Sequence, residues 1–265
     1  MSEESKTENL QLKLFGPVAA AAGETLQDIW ELVFGRLGNY VEKKRMVRRK
    51  ALEDFKTTLE QKVNDIPEDQ LREPPLSVVG PALDASKYYF EEEEIRTMFA
   101  SLISASMDAR TNSLVHPSFP TIIQQLSPLD AQNLAQFGPK TALPLCEYQI
   151  KLIEHKNQAE QPSTAPYHVI YTNVFLSNPK QLNVTQNAVS IATLSRLGLI
   201  ETSYERSLVN ADYKAFEQTD EYHGILSRCE KDAQLQPYIQ HGCIVLTPLG
   251  KRLCAICFPD RSGGD

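Results

Sequence analysis

The cysteines at the end of the chain, with one histidine, have residue types that bind zinc. Cys254 and Cys257 form a C-x-x-C pair, and His241 and Cys243 precede it. Four such side chains are a common zinc ligand set. However, Cys254 and Cys257 lie among the apolar neighbours Leu253, Ile256 and Phe258 of a predicted helix. Buried cysteines that act as small apolar side chains explain the pattern better, so no metal and no other cofactor is predicted.

Two carboxylates and an imidazole fall around one predicted loop and could serve acid–base catalysis or bind a metal. They are Asp108, His116 and Asp130. Helix-end and turn roles account for them more simply, since Asp108 follows a predicted helix and Asp130 follows Ser127-Pro128 in a variant capping box. No HExxH, GxSxG or phosphate-binding glycine loop occurs. No nucleophile–base pair can be assigned, and we predict that the protein is not an enzyme.

One cluster of cations could contact an anionic partner such as nucleic acid, phospholipid or an acidic protein surface. It places six cations within eight residues: Lys43, Lys44, Arg45, Arg48, Arg49 and Lys50. A solvated helix face is the commoner role for such a run. No aromatic residue is interleaved for base stacking, which disfavours recognition of single strands.

Composition indicates a soluble globular protein, with 42% hydrophobic and 23% charged residues. The net charge of -7 argues against non-specific coating of nucleic acid. Five cysteines, an odd number, and no recognisable signal peptide favour a reduced, cytoplasmic setting. The most apolar run, Leu14 to Phe34, is broken by charged residues and is too polar to span a membrane.

Helices dominate the predicted elements of the first 160 residues. Apolar periodicity predicts one helix through Phe34, a second from Tyr40 to Asn64 and a short one from Pro81 to Tyr89. The densest apolar stripe runs from Ile95 to Ser106, and shorter helices follow at Ser118–Leu126 and from Pro128. A further helix is predicted over Leu143–Ile153. The first helix could instead lie on a membrane surface, although its acidic polar face disfavours that.

The C-terminal region differs from the first 160 residues because its sequence predicts strands as well as helices. We predict strands at Ile200–Tyr204 and Gly242–Leu246, and a strand or the entry of a helix at Tyr167–Leu176. A helix is predicted at Thr185–Leu197, ending at Gly198. Thr247 and Pro248 are suited to begin a last helix. The order of helix, strand, helical insertion (about 211–235), strand and helix resembles a winged helix.

The predicted fold is therefore mostly α (α+β). An N-terminal helical bundle region covers residues 1–160. A winged-helix-like region with a small antiparallel sheet and a helical insertion in its wing covers residues 161–265. The boundary between the two regions falls inside the polar stretch 157–166.

A winged helix raises the question of DNA binding. In the helix that would enter the major groove, Gln186 and Asn187 could read adenine, but the only cation is Arg196 at its far end. Because DNA-binding modules draw much of their affinity from phosphate contacts, docking of a protein partner is the favoured role.

A series of short sequence motifs in fixed order resembles the Abi-alpha family. They are Gly80-Pro81, the segment from Ile95 to Asp108, His116-Pro117-Ser118-Phe119 and Gln125-Leu126-Ser127-Pro128, with Leu197-Gly198-Leu199-Ile200 and Leu246-Thr247 near the end. The resemblance implies a mostly helical bacterial protein linked to abortive infection, the defence against phage. The family offers no established catalytic residues to transfer.

The leading hypothesis is thus a cytoplasmic, non-enzymatic anti-phage protein that acts through a protein partner or by self-association. The alternatives are a nucleic-acid-binding regulator, which would use the winged helix or the Lys43–Lys50 face, and a membrane-surface effector.

Overall fold

The structure is a computed structural model that describes residues 20–34, 42–153 and 166–259. Side chains within it are described except at positions 20–24, 31 and 42–48. The chain divides into two compact units, Met1–Pro128 with Arg252–Asp260, and Leu129–Lys251 with Arg261–Asp265. The predicted boundary at residue 160 lies in the segment 154–165, outside the described residues, and it stays a prediction.

The protein has an α+β fold that is about 52% helical, with a small antiparallel sheet. The described α-helices are α1 (Ala20–Phe34), α2 (Glu42–Asn64), α3 (Leu76–Ser86), α4 (Glu93–Met107), α5 (Phe119–Gln124), α6 (Pro128–Leu134), α7 (Val184–Arg196), α8 (Asp220–Cys229) and α9 (Pro248–Cys257). The strands are β1 (Ala142–Leu152), β2 (Tyr167–Val174), β3 (Ile200–Ser203) and β4 (Leu235–Leu246).

Helix α4 provides the centre of the first unit. Its predicted stripe, from Ile95 through Met98 and Leu102, is completely buried. Ala100 and Ala105, on other sides of the helix, are also buried, so α4 is enclosed on more than one face. The helix begins within the run of glutamates, where carboxylates face the positive end of the helix dipole.

Aromatic rings join α1 and α2. The ring of Trp30 stacks on that of Phe55 with centroids 5.7 Å apart, and the rings of Phe34 and Phe90 lie 5.5 Å apart. On α2, Phe55, Leu59 and Val63 form one buried face at intervals of four residues. The apolar stripe of α1 therefore packs within the first unit, as the sequence predicts for an amphipathic helix.

Helix α3 begins five residues earlier than predicted. The sequence places its start at Pro81, but α3 begins at Leu76 and holds Pro81 in its interior. An interior proline removes one helix hydrogen bond and crowds the preceding turn. Here the buried apolar side chains on both sides of Pro81, including Val79 and Leu83, stabilise the helix enough to include it.

The sheet of the second unit has the strand order β2-β1-β4-β3, and all three pairs are antiparallel. This corrects the prediction of a helix at Leu143–Ile153, whose residues up to Leu152 instead lie in β1. All eleven residues of β1 pair with β4 in one register. Non-local pairing outweighs the local pattern here, because aromatic and β-branched residues such as Tyr148 and Ile150 pack well in a strand.

The other strands and helices predicted for the C-terminal region form, and most of their ends lie within two residues of the predicted ones. Strands β2, β3 and β4 form, and β4 begins earlier than predicted, at Leu235. Gly198 has φ +70°, the left-handed conformation expected after α7. The backbone N–H of Gly250 donates to Thr247 Oγ1 at 3.0 Å, so Thr247 caps α9 as predicted.

The insertion between β3 and β4 covers one face of the sheet. It holds a 3-10 helix at Lys214–Gln218 and then α8. Phe216 and Ile225 from the insertion are buried against Cys146 and Tyr148 of β1. The predicted helical character of the insertion is thus confirmed, although β4 already begins at residue 235, the last position assigned to it.

Candidate partner-binding surfaces

The basic cluster lies in the first half of α2. Arg49 and Lys50 are exposed on this helix. The backbone of Lys43, Lys44, Arg45 and Arg48 is helical, but their side chains lie outside the described residues. The structure therefore brings the predicted cations onto one helix and shows two of them open to solvent.

Asp108, from the predicted loop trio, is held by a local ion pair. Its carboxylate accepts hydrogen bonds from Arg110 Nε at 2.9 Å and Arg110 Nη2 at 2.6 Å, and from the Arg110 backbone N–H at 2.9 Å. The Arg110 hydrogen bonds hold the pKa of Asp108 below its ordinary value, although burial opposes this shift. The charge stabilises the turn after α4.

The other two members of the trio also have local surroundings. His116 Nδ1 lies 2.7 Å from Ser118 Oγ and accepts from the Ser118 backbone N–H at 3.2 Å, which fixes the turn before α5. Asp130 is buried in the first turn of α6, which begins at Pro128 as predicted. Among the side chains that the structure describes, no three His, Cys, Asp or Glu residues are arranged to hold a metal ion.

The cysteines are buried, free thiols. Burial raises the pKa of Cys146 and of Cys254 to about 12, and it raises that of Cys257 strongly as well. The reactive and metal-binding form of cysteine is the thiolate, which such surroundings disfavour. The zinc interpretation of Cys254, Cys257, His241 and Cys243 therefore gains no support from the structure.

Helix α7 presents few groups that could read DNA. Asn187, predicted as a base-reading candidate, is completely buried: its Nδ2 donates to the carbonyls of Phe175 at 2.9 Å and Gln181 at 2.8 Å. Gln186 stays exposed, and Arg196 lies in the last turn. Ala192 is also exposed, next to a 65% exposed Val189. The open face of α7 is thus largely uncharged.

A buried polar cluster around Asn187 was missed by the sequence reasoning. Asn133 Nδ2 donates to Asn187 Oδ1 at 3.1 Å and to Ser190 Oγ at 3.0 Å, and Asn178 Nδ2 donates to Asn133 Oδ1 at 2.7 Å. These side chains come from α6, the loop after β2, and α7. The one sequence signal was Asn187, which follows Val184 at a spacing typical of the buried side of a helix.

A second polar cluster fixes an irregularity in β2. Asn173 has φ +54°, and its backbone N–H donates to Tyr204 Oη at 2.8 Å. Tyr204 Oη in turn donates to Asn173 Oδ1 at 3.0 Å. Thr172 Oγ1 donates to Glu147 Oε1 at 3.0 Å on the neighbouring strand. These bonds are internal, so we assign the cluster to the shape of the sheet.

Exposed apolar side chains concentrate at one end of the sheet. Tyr167 is 55% exposed, Val169 44% and Tyr238 37%. They come from the first halves of β2 and β4, on either side of β1. Lys151 Nζ lies 3.0 Å from the centroid of the Tyr238 ring in a cation–π contact. Exposed apolar surface of this kind is typical of interaction sites.

Comparison with models of known protein families shows which family the chain belongs to. A family model described as abortive infection alpha matches residues 47–257. The chain belongs to the abortive infection alpha family. The match confirms the resemblance seen in the sequence. The matched region of this abortive infection alpha protein runs from the first half of α2 to the end of α9. No curated protein sequence and no solved structure gives a significant match.

The surfaces described above all lie within the region that the abortive infection alpha model matches, apart from the first cations of α2. In the described part of this family member, no helix combines the length and the apolar character that crossing a bilayer requires.

Proposed function

We propose that the protein protects a bacterial cell against phage by abortive infection and that it acts through protein contacts in the cytoplasm, not by catalysis. The observation that carries the proposal is the family match over residues 47–257. A family name of this kind records a biological outcome and not a reaction, so the molecular part of the proposal rests on the residues.

Asp108 and the cysteines, which the sequence offers as candidates for chemistry, have structural roles, and this supports a binding function. Asp108 is paired with Arg110, and the cysteines are buried in surroundings that disfavour the thiolate. Catalytic groups instead tend to be partly accessible and to have pKa values near the working pH. The perturbed thiols here shift away from neutral pH.

We further propose that α7, β3, β4 and α9 form a winged-helix-like element whose open side docks a protein. Supporting this, α7 leads into β3 through Gly198, β3 pairs with β4, and Thr247 caps the helix that follows. Exposed Val189 and the burial of Asn187 give α7 a surface better suited to a protein than to phosphates.

The direct test is a challenge of bacteria with a phage panel, with the gene expressed and with a stop codon early in the gene as the matched control. We expect fewer plaques for at least one phage. In abortive infection, infected cells stop growing or die before they release phage, so at high phage-to-cell ratio the culture should not be rescued. Unchanged plaquing for every phage, with folded protein present, would contradict the proposal.

The basic cluster favours a second candidate, a regulator that binds nucleic acid through α2. Arg49 and Lys50 are exposed there. If this candidate is correct, the chain is retained on DNA or RNA at physiological salt, and changing the six cluster residues to Gln abolishes retention. The control changes six exposed cations elsewhere to Gln, with the same loss of charge: Lys140, Lys180, Lys214, Lys231, Lys251 and Arg252. Equal loss in both variants would point to net charge alone.

The membrane-surface candidate has less support, because the aromatic side chains of α1 are engaged. Trp30 stacks on Phe55, and Phe34 packs on Phe90. Binding of α1 to lipid would require these contacts to open. A chain that does not pellet with anionic liposomes removes this candidate.

A further inference from the structure

Strand β2 leaves one side of the sheet open. In the order β2-β1-β4-β3, β2 has β1 as its only neighbouring strand among the described residues. The backbone N–H of Leu152 donates to Pro166 O at 3.3 Å, which fixes the alternation of the ladder that follows. In the register that places Ile150 opposite His168, the N–H and C=O groups of Tyr167 and Val169 point away from β1.

This edge lacks the features that usually protect an open strand. Proteins commonly guard edges with lysine, proline, inward-pointing charges or bulges. The sequence of β2, Tyr-His-Val-Ile-Tyr-Thr-Asn-Val, has no proline and no Lys, Arg, Asp or Glu. Its register shifts come only opposite Cys146 to Gln149, after the first three residues of β2. Residues Tyr167–Val169 therefore form a regular, uncharged edge in a chain whose net charge is -7.

Exposed side chains extend from this edge across the sheet. Gln149 of β1 lies opposite both Val169 of β2 and Tyr238 of β4, so these three side chains point to the same face. Val169 and Tyr238 are 44% and 37% exposed. A strand added to the edge would continue this row and cover part of the apolar surface of Val169.

We propose that the occupant is the β2 strand of a second copy of this chain, added antiparallel about a twofold axis through His168. In this register Tyr167 of each copy pairs with Val169 of the other, so the outward N–H and C=O groups of both residues find partners. A twofold pairing needs a surface that complements itself. An uncharged strand meets this need, because like charges that would repel across the axis are absent from it.

The inference gives a surface and an occupant to the protein contacts in the proposed function, and it rests on that proposal for its biological role. The physical claim itself, a dimer through β2, can be measured on the purified full-length chain without phage. The dimer would join two four-stranded sheets into one continuous sheet across the axis.

The first experiment measures mass by sedimentation velocity over a concentration series. Val169→Pro removes the outward N–H and leaves the bonds to β1 in place, and proline is tolerated at such edge positions. Val169→Lys adds the charge that natural edges use, while Val169→Thr keeps the N–H and serves as the matched control. We expect dimers for the wild type and Val169→Thr, and monomers for the other two. Circular dichroism checks that each variant is folded.

The second experiment traps the register. Residues on the axis face each other at about 4.5 Å between Cα atoms, a distance that a disulfide can bridge. We expect His168→Cys to form a disulfide-linked dimer under mild oxidation. His223→Cys, at another exposed histidine, should not.

A wild type that stays monomeric, or a dimer that survives Val169→Pro and Val169→Lys without a His168→Cys cross-link, would overturn the proposal. The phage assay separates the two claims. A monomeric, folded Val169→Lys chain that still protects cells would detach the dimer from defence and leave the proposed function standing. A dimeric wild type that protects against no phage would do the reverse.

Discussion

Asn133 and Asn187, 54 residues apart in the sequence, are both completely buried and joined by a hydrogen bond of 3.1 Å from Asn133 Nδ2 to Asn187 Oδ1. The bond ties α6 to α7. Asn187 also donates to two backbone carbonyls, so its side chain satisfies three polar groups, one in α6 and two in the connection between β2 and α7. Buried networks of this kind specify one arrangement of elements when all members are paired.

Removing Asn187 should therefore be costly. Asn187→Ala leaves the carbonyls of Phe175 and Gln181 without this donor, and we expect a loss of about 3 kcal/mol in the free energy of unfolding. Urea denaturation followed by circular dichroism measures it. Gln186→Ala, the exposed neighbour, is the control and should cost less than about 0.5 kcal/mol. Similar losses in both variants would show that the network contributes little.

Two glycines give a matched test of close packing. A Cβ at Gly250 would lie 2.0 Å from the carbonyl oxygen of Leu199, so Gly250→Ala must displace backbone. We expect a loss of roughly 3 kcal/mol in the free energy of unfolding. Gly224, inside α8, has open space around its Cβ position. Gly224→Ala should raise stability by about 1 kcal/mol because alanine favours the helix. Thermal unfolding measures the melting temperatures of both variants. Equal shifts in the two melting temperatures would contradict the close packing at Gly250.

The ion pair at the end of α4 predicts a pH dependence. Because Arg110 lowers the pKa of Asp108 in the folded state, the charged carboxylate stabilises the fold above the unfolded pKa of about 3.9. This stability is lost as pH falls through the lower, folded pKa. Asp108→Asn should thus be less stable than wild type at pH 7, and the difference should shrink below about pH 4. Urea titrations between pH 3 and 7 measure it.

A constant difference between wild type and Asp108→Asn across that range would assign the effect to lost hydrogen-bond geometry and not to charge. Glu68→Gln offers a control, since Glu68 is an exposed carboxylate on the 3-10 helix of the same unit. Its effect on the free energy of unfolding should stay small at every pH.

The cysteines predict slow thiol chemistry. All five are buried, and burial raises the pKa of Cys146 and Cys254 to about 12. At pH 8 we expect a disulfide reagent to modify the folded chain far more slowly than the chain in guanidinium, where all five should react at once. Rapid modification of one thiol in the folded chain would show that its site opens, and the modified residue can be found by mass spectrometry.

The sequence by itself determined the features that short-range physics controls. The cap at Thr247, the left-handed Gly198 and the start of α6 at Pro128 each depend on a few neighbouring residues, and each is where the sequence predicts it. The burial of the apolar stripe from Ile95 to Ile103 was also predictable from the sequence, because helical periodicity alone places these side chains on one face. The short sequence motifs in and around these elements also indicated the family.

The tertiary structure decided what depends on distant partners. Residues 143–152 have no local signal that excludes a helix, and they lie in β1 because β4, over 80 residues later, pairs with each of them. Asn187 reads as a polar side chain free to contact DNA, yet Asn133 and two carbonyls outside its helix enclose it. In both cases the deciding hydrogen-bond partners come from other parts of the chain, and only folding brings them within bonding distance.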